Sequence, residues 1–415
     1  MPRLKTNQHL EETSLVRRNV VIFSDLLLPP SMTFIRSQGE ALESFVPYYL
    51  GCRGVQTGGL SMPHERTTII NASGSLLGKL SEIPLKVFGY APNTIQRISC
   101  VHPVLIHAHF GPGGAIVLPL ALQMQIPLII TFHGYDVTVN DSFASKSTFT
   151  HRRFIRKRRA LQKHGAKFIA VSEFVRRKLL EQNYPEEKVL RLYIGVDTHW
   201  FQPEKRVNRQ PIVLFVGNLV ENKGCEFAIR AMEEVQNSCP DAEFVVIGDG
   251  PLRRALELLA RLKLRRFRFL GYRPPEQIRE WMNRAKVFCV PSVEVESGAS
   301  EGFGLVFAEA QSMEVPVASF ATGGIPEVIA DRETGLLAPP RDFRQLAANI
   351  HLLLTDSDLW ARMGKTARER TVKMFELKSQ TRLLEREYHK VLGSPSLFAA
   401  EPHSCQPEAT CGGHV

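Results

Sequence analysis

Short continuous apolar runs, each followed by a turn bearing glycine or proline and then by a segment of helical period, recur along most of the chain. Asn19 to Leu28, Val104 to His107, Pro127 to Phe132 and Lys167 to Val171 have the length and β-branched content of buried strands. After the polar stretch Glu204 to Gln210 the pattern restarts with Ile212 to Val216, Phe244 to Ile247, Phe267 to Leu270, Val287 to Pro291 and Pro316 to Phe320. Strand, glycine turn and helix in series predict a parallel, doubly wound α/β sheet in each half. Right-handed crossovers then bring the turns of a half to one sheet edge, where ligands bind in such folds.

This pattern predicts a flexible start over residues 1–18, a first domain over 19–203, a linker over 204–210 and a second domain over 211–374. An amphipathic helix from Phe375 to Leu392 is long enough to cross back onto the first domain. The tail 393–415, rich in Pro, Ser and Gly, carries no periodicity and is expected to be disordered. Residues 51–100 give little signal, and Gly74 to Lys79 lacks the spacing of a phosphate loop. The apolar stretch Ile106 to Phe132 is broken by Gly111, Pro112, Pro119, Gln123, Gln125 and Pro127, so it reads as strand, helix and strand rather than a membrane span.

The chain has 415 residues, 44% of them hydrophobic and 23% charged, which is soluble globular composition and enough for two cores. A net charge of +10 favours an anionic partner. Eight Lys or Arg and no acidic residue lie between His151 and Lys167, with Arg152, Arg156, Arg159 and Lys163 on one helical face. That face is either simply solvated or docks on an anionic membrane or a phosphate-bearing acceptor. Nucleic acid is not expected, because no aromatics are interleaved and no binding motif is present. Seven cysteines in no zinc spacing, and no signal peptide, fit a reduced cytoplasmic chain.

The densest chemistry lies in Ser297 to Glu309. Gly302 and Gly304 precede an apolar helix whose start can hold an anion. Glu301 and Glu309, eight residues apart, would fall within about 80° of each other on a helix and face one pocket. Carboxylates that accept hydroxyls beside a phosphate cradle suit a sugar nucleotide. Lys223 and the Gly323-Gly324 turn are placed to close around a diphosphate. In the first half, the strand ending at Phe132 delivers His133 into a loop, where it is either an active-site group or a hydrogen-bonded structural one. The turn into the helix after Ser31 or Thr33 is either an acceptor contact or a plain capped helix start. Asp356-Ser-Asp358 reads as helix capping rather than a metal motif, and no metal site is expected.

With these residues on the page, the chain resembles the family 4 glycosyltransferases over roughly residues 19 to 392, most densely from Phe215 to Leu337. The resemblance rests on Phe-Val-Gly-Asn-Leu-Val-Glu-Asn-Lys-Gly at 215, Gly-Asp-Gly-Pro at 248, Phe-Leu-Gly-Tyr at 269, Glu301-x7-Glu309, Gly-Gly-Ile-Pro-Glu at 323, His-Gly-Tyr-Asp at 133 and Ile-Gly-Val-Asp at 194. Thr33-Phe-Ile-Arg36 and His107-Ala-His-Phe-Gly111 look more narrowly like bacterial exopolysaccharide and colanic-acid-type transferases.

The resemblance implies a GT-B architecture of two facing Rossmann-like domains and retaining sugar transfer from a UDP- or GDP-sugar to a glycan or lipid-linked acceptor. No cofactor is implied. Glu301 would bind the donor sugar, Glu309 the ribose and Lys223 the leaving diphosphate, with His133 beside the reacting sugar. Gly217, Asn218, Gly248, Gly250, Tyr272, Arg273, Gly302, Phe303, Gly304 and Leu305 would complete the donor site. Thr33, Arg36, His109, Gly111 and Asp136 would contact the acceptor. One departure stands out: the family's phosphate-gripping arginine is here Asn218, so either another basic residue, Arg253 or Arg273, substitutes or catalysis is weaker. A phosphorylase or epimerase of the same architecture, and a non-catalytic carbohydrate-binding protein, are the alternatives.

Overall fold

The computed structural model describes residues 17–27, 32–54, 62–72, 76–89, 92–204 and 207–393. The first seven strands are β1 (Arg18–Leu27), β2 (Phe45–Gly54), β3 (Thr67–Asn71), β4 (Leu105–His109), β5 (Leu128–Phe132), β6 (Lys167–Ala170) and β7 (Val189–Arg191). They form one all-parallel sheet in the order β3-β2-β1-β4-β5-β6-β7. A second parallel sheet holds β8 (Gln210–Val216), β9 (Glu243–Ile247), β10 (Phe267–Gly271), β11 (Ala285–Cys289), β12 (Val317–Phe320) and β13 (Gly335–Ala338), ordered β10-β9-β8-β11-β12-β13. In both sheets the strand order reverses at the first strand, β1 or β8, which opens a crevice at the carboxyl ends of the central strands.

The central strands are apolar throughout because helices cover both faces; every residue of β4 and β5 is buried. Between them runs the helix Gly111–Met124, buried nearly all round, so the long apolar stretch is indeed strand, helix and strand. No helix among the described residues is long and apolar enough to cross a membrane. Strand β2 carries Pro47, Gly51 and Gly54, breakers that hide it in the sequence. Gly51 lies against the Leu27 side chain, where a Cβ would overlap it.

The chain leaves the second sheet through the helix Ser357–Phe375, turns at Glu376, and returns to the first sheet as the helix Leu377–Gly393. The expected single start at Phe375 is corrected: the Glu376 carboxylate accepts the N–H groups of Lys378 and Ser379 at 2.9 and 2.7 Å and so caps a new helix. Leu384 and Tyr388 of this helix are buried with Val20, Ile22, Leu42 and Phe45 of the first domain. Glu385 accepts the N–H groups of Glu43 and Ser44 at 2.9 and 2.6 Å. The tail beyond residue 393, most of the amino-terminal segment, Ser31, and residues 205 and 206 of the expected linker lie outside the described residues.

Candidate active site

β11 ends at Cys289, and residues 290–304 form a loop that enters the helix Leu305–Ser312 through Gly304 at φ +80°, a left-handed conformation that favours glycine. Glu301 therefore precedes the helix by a full turn, and the 80° helical geometry expected for Glu301 and Glu309 does not apply. Position comes instead from contacts. Lys223, at the end of the turn after β8, places Nζ 2.5 Å from Glu301 Oε2, and Ser292 Oγ lies 3.5 Å from the same oxygen. The Glu301 carbonyl accepts the Gly324 N–H at 2.9 Å, and the Gly302 carbonyl accepts the Ser172 hydroxyl at 2.6 Å from the opposite domain. Gly302 is required by close approach: a Cβ there would overlap the His133 carbonyl and lie 2.8 Å from Gly134 Cα. Glu309, on the helix Leu305–Ser312, is partly buried and its carboxylate makes no hydrogen bond among the described residues; loss of hydration pushes this carboxyl up to about 7.

Across the crevice, β5 ends at Phe132 and the chain turns through His133 and Gly134. Three backbone N–H groups, those of Gly111 (2.8 Å), His133 (3.1 Å) and Gly134 (3.0 Å), donate to the buried Asp136 carboxylate. Burial raises the Asp136 carboxyl to about 6, offset in part by these same hydrogen bonds. The His133 ring lies 5.3 Å from that of His109, stacked at 24°, with His133 Nε2 3.1 Å from His109 Nδ1. His107 stacks in turn on His109 at 4.7 Å. Its two nitrogens meet Tyr388 Oη at 2.6 Å and Thr131 Oγ1 at 2.7 Å. Desolvation lowers His107 and His133 to about 3 and His109 well below its ordinary value, so the stack is neutral.

These contacts correct three acceptor assignments. His109 is fully buried behind His133, both Asp136 oxygens are engaged by backbone, and a Cβ at buried Gly111 would run into Phe154 and Phe132. They position the site rather than line it. Thr33 opens the helix Thr33–Glu40 without a side-chain cap, and Arg36 lies on the same helix, partly buried. The donor residues divide similarly. The Phe303 side chain is buried against Tyr193 and Phe375, leaving only its backbone to a ligand. Gly248 and Gly250 pack on the backbone of Gly217 and Leu219. Leu305 is partly buried, while Asn218 and Tyr272 are exposed. Arg253 is held by Asp249 and Glu257 at 2.9 and 2.8 Å, and Arg273 by the Tyr272 carbonyl at 2.9 Å; neither reaches the Lys223–Glu301 pair.

Several residues escape sequence reasoning. Phe34 and Phe110 set their rings 5.0 and 4.5 Å from that of His133. Glu327, the last residue of the Gly-Gly-Ile-Pro-Glu motif, accepts the N–H groups of Glu173 and Phe174 at 2.7 and 2.8 Å, bridging the domains at the start of the helix Glu173–Glu181. Asn140 N–H donates to the Ser297 carbonyl at 2.8 Å, and Ser300 N–H to Thr138 Oγ1 at 3.3 Å. Asp356 caps its helix as expected, accepting the Leu359 N–H at 2.9 Å.

The family model for glycosyl transferases group 1 matches residues 196–370, and the Glycosyltransferase Family 4 model matches residues 56–200. WcaL of Escherichia coli K12, a glycosyltransferase named for colanic acid biosynthesis, is 28% identical over 272 residues, covering 63% of this chain and 64% of that protein. The amylovoran biosynthesis glycosyltransferase AmsK of Erwinia amylovora is 29% identical over 246 residues, 58% of each chain. The chain thus spans less than two thirds of the length of both relatives. The structure of Anabaena HepE in complex with UDP and glucose superimposes with a TM-score of 0.73 at 17% identity, covering 90% of this chain and 100% of that one. The shared fold is GT-B, two facing Rossmann-like domains with the crevice between them.

Proposed function

We propose, because its two halves match the family models for glycosyl transferases group 1 and Glycosyltransferase Family 4, that the chain transfers a sugar from a nucleotide-diphosphate donor to a glycan or lipid-linked acceptor, with retention of configuration, in polysaccharide biosynthesis. The observation that carries this reading is the Lys223–Glu301 pair at 2.5 Å, set where the turns at Gly302, Gly304 and Gly323-Gly324 meet the His133 loop. In this pairing each charge stands in for a substrate group: Lys223 for its diphosphate, Glu301 for its sugar hydroxyls. Donor binding replaces one ion pair by two sets of charge-assisted hydrogen bonds. As the glycosidic bond lengthens, negative charge grows on the diphosphate, where Lys223 and the start of the helix Leu305–Ser312 stabilise it. Glu309, lacking a protein partner, is left for the ribose hydroxyls. Attack from the face the diphosphate leaves, through an oxocarbenium-like transition state, needs no protein nucleophile.

UDP-sugars are the first donors to try, since the HepE structure contains UDP and glucose. Thermal-shift and turnover screening against nucleotide sugars, with Glu301→Ala and Lys223→Ala in parallel, tests the reading. Stabilisation by one donor, lost in both variants, is expected. A full panel without any shift in the wild-type protein overturns it.

The surface of the first domain supports a membrane-borne acceptor. Arg152, Arg156, Arg159 and Lys163 are all exposed on the helix Phe149–His164 and make no ion pair among the described residues. Arg153 of that helix donates to the Val87 carbonyl at 2.5 Å, which fixes beside it a segment exposing Leu80 (61%), Ile83 (45%) and Phe88 (68%). Cationic side chains next to exposed apolar ones suit the interface of an anionic bilayer.

A further inference from the structure

Five phenylalanine or tyrosine side chains are exposed among the described residues, and three of them, Tyr135, Phe143 and Phe149, lie in the one segment that follows the His133 loop. Phe88 belongs to the apolar patch described above and Tyr272 to the donor edge, so this segment alone leaves aromatic faces without a task. Apolar faces kept in water at a cost in hydration mark a binding surface when they cluster. Phe143, 52% exposed, lines a cavity of about 290 Å³ with Asn140, Ser142 and Lys146 of the first domain and Glu296 and Ser297 of the second. Lys146 and Glu296 bring opposite charges to this cavity, yet neither side chain makes a hydrogen bond or ion pair among the described residues.

Both walls of the cavity are pinned. The Asn140 N–H donates to the Ser297 carbonyl at 2.8 Å, and a Cβ at Gly298 would overlap the Thr138 carbonyl. Beneath, Val139 and Ala144 of the first domain pack with Ala299 and Val295 of the second. Ser297 stands four residues before Glu301, at most about 14 Å along the chain, so a ligand that starts at the reacting centre can reach the cavity. The donor's sugar is a single ring engaged at Glu301 and cannot fill both places. An aromatic face for the C–H side of a sugar ring, beside a carboxylate that accepts hydroxyls and an ammonium that donates to them, suits a further ring. From this geometry we infer that the cavity is an acceptor subsite: when the acceptor is an oligosaccharide, a ring beyond the one being glycosylated lies on Phe143, its hydroxyls held by Lys146 and Glu296. The inference rests on the transfer of sugar to a glycan, as proposed above. Because the walls come from both domains, a seated oligosaccharide also favours the closed crevice.

The probe is a printed array of bacterial oligosaccharides, from single sugars to chains of about six, read with full-length protein with and without UDP; fragments that bind are then titrated by calorimetry. Wild-type protein should bind the longer fragments and not the corresponding monosaccharides. Phe143→Ala should weaken the longer fragments about fivefold or more, the worth of one well-placed aromatic contact, and Glu296→Gln and Lys146→Ala about threefold each. UDP affinity should stay within about twofold of wild type in all three, and Phe143→Tyr, which keeps the aromatic face, should bind fragments as the wild type does. The three side chains are exposed, so the variants should keep the wild-type Tm. Wild-type protein that binds UDP but no fragment, or fragments that bind wild type and Phe143→Ala equally, overturns the inference. Wild-type protein that binds neither UDP nor any nucleotide sugar overturns the transferase reading instead, while the comparison of Phe143 variants on the array still decides whether the cavity holds a glycan.

Discussion

Removing the Glu327 carboxylate tests how the two halves are held together. It comes from the second domain and accepts the first two N–H groups of the helix Glu173–Glu181 in the first, at 2.7 and 2.8 Å. Those are two of the four donors that any helix start leaves unpaired, at the positive end of its dipole. A hydrogen bond to a charged group contributes about 1.5–3 kcal/mol net, and a partly buried acceptor falls toward the lower end. Ser172 still caps the helix through the Val175 N–H at 3.1 Å in the variant, and water recovers part of the loss. Glu327→Ala should therefore cost about 2–4 kcal/mol, which in a chain of 415 residues lowers Tm by roughly 2–5 °C. Glu327→Gln, keeping an acceptor oxygen without the charge, should lose about half as much. Differential scanning fluorimetry gives the Tm, and small-angle scattering gives the separation of the halves. Glu327→Ala should raise the radius of gyration, whereas Leu353→Ala, a cavity in the second core, should lower Tm with the radius unchanged. A Glu327→Ala protein that matches the wild type in both Tm and radius refutes the reasoning.

The partly buried Glu309 carboxyl, raised from 4.5 to about 7, makes the folded protein hold a proton that the unfolded chain releases. Its contribution to stability is thus present below about 4.5 and is lost as pH rises through 7; binding of a donor ribose, which needs the carboxylate, should strengthen over the same upper range. Calorimetric titration of UDP at pH 6 and pH 8 should show tighter binding at the higher pH, and Glu309→Gln should remove the difference. Gly302→Ala pushes a methyl group into the His133 carbonyl, so turnover should fall by about two orders of magnitude, and by more than nucleotide affinity does. Reversing Arg152, Arg156, Arg159 and Lys163 to Glu should abolish sedimentation with phosphatidylglycerol vesicles, since each cation contributes about 1 kcal/mol at such a surface. Equal sedimentation of variant and wild type would dismiss the membrane-docking face.

What was legible in the sequence followed from burial on two faces. β5, β8 and β9 are continuous apolar runs because helices cover both sides of each sheet, and their glycine turns announce the binding edge. β2 was hidden because Pro47 and Gly51 mimic breakers, although the sheet uses Gly51 to make room for Leu27. Lys223 and Glu301 were readable as chemistry but not as a pair, since 78 residues separate them. The stack of His107 on His109 did leave a trace: residues two apart in a strand point to one face. Its far end, Tyr388, lies 281 residues away from His107 and had none. Ser172 was readable as a helix cap and Glu327 as part of a motif, but their contacts across the crevice left no trace, because these depend on where two folded sheets come to rest.

The return of the helix Leu377–Gly393 to the first sheet also governs when the first domain is completed as the chain is made. A domain that finishes its strands at Arg191 is poised to fold while the second half is still being synthesised. Yet its core around Val20 and Phe45 stays open until Leu384 and Tyr388 arrive, and His107 Nδ1 lacks its Tyr388 partner until then, with only Nε2 held by Thr131. The histidine stack is thus completed by nearly the last described residues of the chain, after the strands of the second sheet have been made. Chains truncated before this helix then carry a formed second sheet beside a first-domain core that lacks Leu384 and Tyr388.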